Sequence, residues 1–101
     1  MGKVNLPVVF RRIARAEFDD AGDWYEARRP GLGAAFAAAV QTVLDRIADN
    51  PTSYAVAWKD VREALVSGFP YCVYYREVPG QILVLAVFHT SRDPSVWQNR
   101  A

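Results

Sequence analysis

The sequence predicts an α+β fold: an N-terminal strand, then an antiparallel helix hairpin packed on one face of a small, mostly antiparallel β-sheet. Three observations predict it. Residues 12–48 carry two apolar stripes at helical spacing, broken once at Pro30-Gly31. After Pro51 the hydrophobic pattern switches to a period of two. Near the end, Tyr71–Glu77 and Gln81–His89 are dense in β-formers and flank Pro79-Gly80, a pair whose preset and permissive φ angles favour a tight reversal.

Val4 to Phe10 is a short β-prone run. Pro7 lacks an N–H and belongs at a strand start or a sheet edge, and Met1 to Lys3 are expected to fray. Across residues 12–28, Ala14, Phe18, Ala21, Tyr25 and Arg28 recur at steps of four and three. The acids at 17, 19, 20, 23 and 26 fall mostly on the remaining faces and read as a solvated surface. Arg28-Arg29 suits the carbonyl end of the helix dipole, and Pro30-Gly31 stops the helix. Residues 32–48 form a second helix, with Leu32, Phe36, Val40, Val43, Leu44 and Ile47 as its stripe and alanines between. A connection this short makes the helices antiparallel neighbours.

Tyr54–Trp58 is a weak strand candidate and Val61–Val66 a better one, with Arg62 sharing a face with Ala64 and Val66. Ile82 to Phe88 is apolar at both parities, which predicts an interior strand buried on both sides. Phe18, Tyr25, Phe36, Val40, Ile47, Leu83, Leu85 and Val87 are expected to be buried together against the helices. The opposite sheet face is also apolar, so either the tail with Trp97 or a partner must cover it. Asp93–Trp97 reads as that tail, with one helical turn.

Length and composition bound the function. One hundred and one residues, 51% of them hydrophobic, suffice for one domain spanning 1–101 with a core of its own. Cys72 is the sole cysteine, so no disulfide is expected and a reducing compartment follows. No apolar run approaches the roughly 20 residues that span a bilayer, and no signal-peptide pattern opens the chain. The reading is a soluble, cytoplasmic protein with no membrane association. Net charge is +1, with six arginines against seven acids in residues 11–50. That argues against a bulk basic surface of the kind that grips phosphates. No Cys/His cluster has metal-ligand spacing, and no glycine-rich phosphate loop or Ser/His/Asp triad can be argued, so neither metal nor cofactor is expected.

Several short pieces recur in one order: Ala14-x-x-Glu17-Phe18, Trp24-Tyr25-Glu26, Pro30-Gly31-Leu32-Gly33-x-x-Phe36, Pro51, Val61-Arg62, Phe69-Pro70-Tyr71-x-Val73-x-Tyr75, Val87-Phe88-His89 and Arg92-Asp93-Pro94-x-x-Trp97. In this order and spacing the chain resembles the RelE/ParE superfamily, the toxins of bacterial type II toxin–antitoxin (plasmid stabilisation) modules, over nearly its whole length. The resemblance implies a cognate antitoxin as partner and one of two activities. ParE-like members poison DNA gyrase by binding it. RelE-like members are metal-free endoribonucleases that cut messenger RNA on the ribosome. When free, such a chain is expected to be poorly soluble or to self-associate as a homo-oligomer.

The candidate residues follow. Metal-free RNA cleavage needs a base, an acid and cations for the developing phosphorane charge. If the chain is a nuclease, Arg62, His89 and Arg92 are expected to form that catalytic corner. For binding a target or antitoxin, the candidates are Arg62, Tyr75, Arg76, His89, Arg92 and Trp97. Each also has a structural reading. His89 can cap its strand by bonding backbone or Asp93. Arg92-Asp93 can be an ion pair that anchors the tail, and Arg62 can be a structural arginine under that tail. Cys72 reads as a small buried hydrophobe. The RelE-like branch commonly carries a cation after the tyrosine matched by Tyr71, where this chain has Cys72. A second basic position on the preceding strand is matched by Ala64. These departures favour the ParE-like, non-enzymatic reading, with the endoribonuclease as the alternative.

Overall fold

The computed structural model describes residues 5–101. The expectations for Met1–Lys3, and Val4 of the first β-prone run, lie outside the described residues. The elements are β1 (Val8–Phe10), α1 (Arg12–Arg28), α2 (Leu32–Asp49), β2 (Val56–Trp58), β3 (Val61–Leu65), β4 (Tyr71–Val78), β5 (Gln81–His89) and α3 (Ser95–Gln98). They build one five-stranded sheet in the order β1-β5-β4-β3-β2. β1 runs parallel to β5, and every other neighbour pair is antiparallel. β5 is therefore interior, as its apolar run predicts. The Pro79-Gly80 reversal is present, with Gly80 at φ 76°, in the left-handed region that glycine enters without a Cβ penalty. Among the described residues no helix is long and apolar enough to cross a membrane.

The helix hairpin closes by an unusual route. Gly31 (φ 88°) stands at the N-cap of α2 and brings no capping side chain of its own. The carboxylate of Glu26, on α1, accepts the Gly31 N–H at 3.0 Å and the Gly33 N–H at 3.0 Å. It thereby satisfies two of the amides that a helix N-terminus leaves without partners. This acid, read as solvated from sequence, is a cap delivered across the turn. Gly33 is required for the approach, because a Cβ there would sit 2.7 Å from the Gly22 carbonyl.

The hairpin lays Phe36, Val40, Val43 and Ile47 on the sheet, where they join Ala64, Val73, Tyr75, Ile82, Val84 and Val87 in one buried cluster. Phe18 and Tyr25 are partly buried against it. Two members of the expected set do not belong. Leu85 lies in a second cluster on the opposite sheet face, and Leu83 packs against that same cluster. The cause is a β-bulge. Tyr74 pairs with Ala86 and Tyr75 with Val84, so Leu85 has no partner on β4. The extra residue reverses the alternation of β5. Ile82, Val84 and Val87 face the helices, while Leu85, Ala86 and Phe88 face away.

That second face is covered by the tail. Trp97 is 2% exposed and stacks on Tyr74 at 3.9 Å between ring centroids, within a cluster that also holds Val61, Cys72 and Phe88. Burial pushes the Cys72 thiol up from its ordinary pKa, which suits a packing role.

Phe36→Ala should lower stability by about 3–5 kcal/mol, as core aromatic truncations do. Gly33→Ala should cost on the order of 1–3 kcal/mol, because the helices must part. Denaturant melts check both; a Gly33→Ala midpoint equal to wild type would show that the close approach to Gly22 carries no weight.

Candidate functional site

The β5 bulge leaves backbone groups to be satisfied. β1 pairs only with Ile82–Val84, and the Arg11 N–H closes that ladder on the Val84 carbonyl at 2.9 Å. Beyond it, the Leu85 carbonyl accepts from Arg100 Nη1 at 3.1 Å, and the Val87 N–H donates to Glu17 Oε1 at 3.2 Å. Arg100 also grips Glu17 in a two-point contact at 2.9 and 3.0 Å. Both side chains are mostly buried, at 12% and 13% exposure. Arg11 Nη1 donates to the Arg100 carbonyl at 3.1 Å. A carboxylate of α1, a guanidinium of the tail and the free edge of β5 thus form one charge-assisted knot.

Sequence reasoning placed Glu17 on a solvated face and did not single out Arg100. A signal was present. Glu17 lies three residues after Ala14 and four before Ala21, and both alanines are buried. Small residues on either side bring that flank of the helix close to the sheet.

Beside the knot runs a groove of about 480 Å³ between α1 and the adjoining ends of β4 and β5. Ala21, Trp24 and Tyr25 line it from α1, with Glu17 and Asp20. Tyr71, Val87, His89 and Arg92 line it from the sheet side. Tyr71 meets His89 edge to face at 5.2 Å, and its phenol is pushed up from its ordinary pKa chiefly by burial. His89 Nδ1 accepts the Ser91 N–H at 3.1 Å and lies 2.8 Å from the Ser91 hydroxyl. That bond caps the strand end through Ser91 rather than Asp93. Arg92 is half exposed, 3.6 Å from Glu17 Oε2, and its guanidinium lies 4.2 Å from the centre of the Phe88 ring. Its ion-pair partner is Glu17, not Asp93, whose carboxylate instead accepts the Ser95 N–H at 3.0 Å.

The other predicted residues lie elsewhere. Arg62, His89 and Arg92 do not form one corner. Arg62 is opposite Tyr75 and His89 opposite Tyr71. Four residues of β4 separate those positions, roughly 13 Å along the strands, with β4 itself between β3 and β5. Arg62 lies on the helix face, not under the tail, and its Nη1 donates to the Tyr54 carbonyl. Tyr75 is fully buried and donates its hydroxyl to the Pro51 carbonyl at 2.6 Å. Burial pushes its pKa up to about 12. Both residues hold the loop between α2 and β2. Tyr75 offers no surface to a target, and neither does Trp97, sealed against Tyr74. Arg76 pairs with Asp60 at 2.8 Å, and this bond holds the Asp60 carboxyl below its ordinary pKa. Among the described residues no group of His, Cys, Asp and Glu is placed to hold a metal ion.

The sequence model of the ParE toxin of type II toxin-antitoxin system, parDE, matches residues 8–94. The chain belongs to this family. No curated protein sequence matches it. Among solved structures, a chain titled "Chromosomal ParDE TA system from P. aeruginosa" superposes with a TM-score of 0.75 at 15% identity, covering 86% of this chain and 98% of that one. At that identity the likeness is one of fold, and it bears out the α+β architecture of a ParE-like domain. The ParE family match takes in the groove residues Glu17, Tyr71, His89 and Arg92 but stops before Trp97 and Arg100. In this ParE family member the two-point partner of Glu17, Arg100, therefore lies outside the matched segment, while the looser partner, Arg92, lies within it.

Arg100→Ala removes the two-point partner of buried Glu17 and leaves only the longer, half-exposed contact with Arg92, and removing one member of a buried pair typically costs about 3–5 kcal/mol. We expect a loss of that order in a thermal or urea melt. Glu17→Gln, which keeps an acceptor for the Val87 N–H, should lose less; equal stability of Arg100→Ala and wild type would remove the knot from the account.

Proposed function

We infer that the chain is the toxin of a type II toxin–antitoxin module that acts in the cytoplasm by binding and inhibiting a topoisomerase, DNA gyrase, and is neutralised by a cognate antitoxin. The family supports the toxin role. One observation supports inhibition by binding over RNA cleavage: the arginines that a metal-free nuclease would aim at phosphate are committed to structural contacts. Arg62 holds a loop carbonyl, Arg76 pairs with Asp60, and Arg100 is spent on Glu17 and the β5 edge. Arg92 alone borders the groove, and it faces Glu17. Stabilising a phosphorane asks for cations preorganised at one place with no competing carboxylate. A net charge of +1 adds little electrostatic steering toward RNA.

A second reading keeps one supporting observation: Tyr71, His89 and Arg92 share a single groove, the types of residue that proton transfer and phosphate binding use.

The test pairs two assays. With purified gyrase, the chain should block supercoiling; after induction in a bacterial host, primer extension on a reporter transcript should show no codon-phased cuts. Cuts that vanish in His89→Ala, where loss of a proton-transfer group typically costs about 10²-fold or more, would replace this reading with the nuclease.

A further inference from the structure

The two faces of the sheet are covered by very different devices. The helix side is closed by helices of 17 and 18 residues, and no residue after Val87 belongs to its cluster. The opposite side is closed by one turn, Ser95–Gln98, which lays Trp97 on Tyr74 above Cys72, Leu85 and Phe88. A single helical turn does not hold itself together in water, so this cover depends on its attachments. Among the described residues, every hydrogen bond between residues 93–101 and the body of the domain passes through Arg100. Its guanidinium donates to Glu17 and to the Leu85 carbonyl, and its own carbonyl accepts from Arg11 Nη1. The remaining bonds of the tail are internal, such as Asp93 with the Ser95 N–H. The Trp97 indole N–H is buried with no partner, so closing the tail strips that group of water without replacing it.

We propose that residues 93–101 form a strap that swings off the tail face as a unit while the helix hairpin stays on the sheet, with Arg100 as its latch. Opening returns the Trp97 N–H to water and takes Arg100 away from Glu17, which keeps its contact with Arg92. The helix-side cluster loses no member. What opening bares is the apolar face of Cys72, Tyr74, Leu85 and Phe88, a surface of the kind that marks interaction sites. Elements with few buried contacts open below the free energy of global unfolding, and a tail held by one side chain and one stacked ring is such an element.

Cys72, the sole cysteine, is 8% exposed beneath the tail and serves as reporter. Thiol labelling of the full chain is followed in urea below the unfolding transition. In wild type it should run about tenfold or more faster than global unfolding allows, and with a weak urea dependence, because opening the strap exposes little surface. Arg100→Ala should speed it a further tenfold or so, and Arg11→Ala, which removes only the bond to the Arg100 carbonyl, by a smaller factor. Cys72→Ala combined with Val43→Cys moves the thiol to the helix-side core, where Val43 is 4% exposed; that thiol should label only through global unfolding. Labelling of Cys72 with the full urea dependence of global unfolding would overturn the strap. So would wild-type rates in both arginine variants, or a thiol at position 43 that labels as fast as Cys72.

Discussion

The contact on which the rest of the structure depends is the buried pairing of Glu17 with Arg100 at the β5 bulge. A bulge in an interior strand leaves backbone donors and acceptors that the ladder cannot serve, and buried amide groups must be paired. β1 is too short to serve them, since it ends opposite Val84. Glu17 takes the Val87 N–H and Arg100 takes the Leu85 carbonyl, and each neutralises the other. Three elements distant in sequence are tied at one point: α1, β5 and the tail. The carboxylate is held between Arg100 and Arg92, so the register of α1 on the sheet and the course of the chain after α3 are set together.

The bulge also explains how so small a sheet buries both faces. By reversing the alternation after Val84, it supplies Val87 to the helix side while Leu85, Ala86 and Phe88 serve the other. The second cluster is closed by Trp97 on Tyr74. That indole N–H is buried with no hydrogen-bond partner among the described residues, a cost that the stack and the apolar surface it covers must offset. The tail covers the face that the alternation predicted would need a cover. The sheet's edges are blunted in a way natural β-sheets use against edge-to-edge pairing: β1 and β2 are three residues each, and Pro7 precedes the first.

How much of this was legible in the sequence follows from the range of each interaction. Periodicity is local, so the helix stripes, the Pro79-Gly80 reversal and the interior strand could be read directly. The helix boundaries at Arg12, Arg28 and Leu32 agree with expectation to the residue. A bulge has no local signature in a run apolar at both parities, because no polar residue marks where the face changes; Leu83 and Leu85 were assigned to the wrong side for that reason. The site was legible in its types and not in its geometry. His89 and Arg92 do border a groove, but Arg62 was grouped with them as a cation of the kind the resemblance asks for, and residue type says nothing about position along the strand. Glu17 and Arg100 pair across 83 residues of chain, and no spacing rule reaches that far.

The same knot also borders the groove, through Glu17. Arg92 lies over Phe88 with its guanidinium 3.6 Å from Glu17, which Arg100 also holds. Asp20, one turn further along α1, is exposed and has no ion-pair or hydrogen-bond partner among the described residues. Both acids line the groove from α1, and it is the buried one that holds the guanidinium.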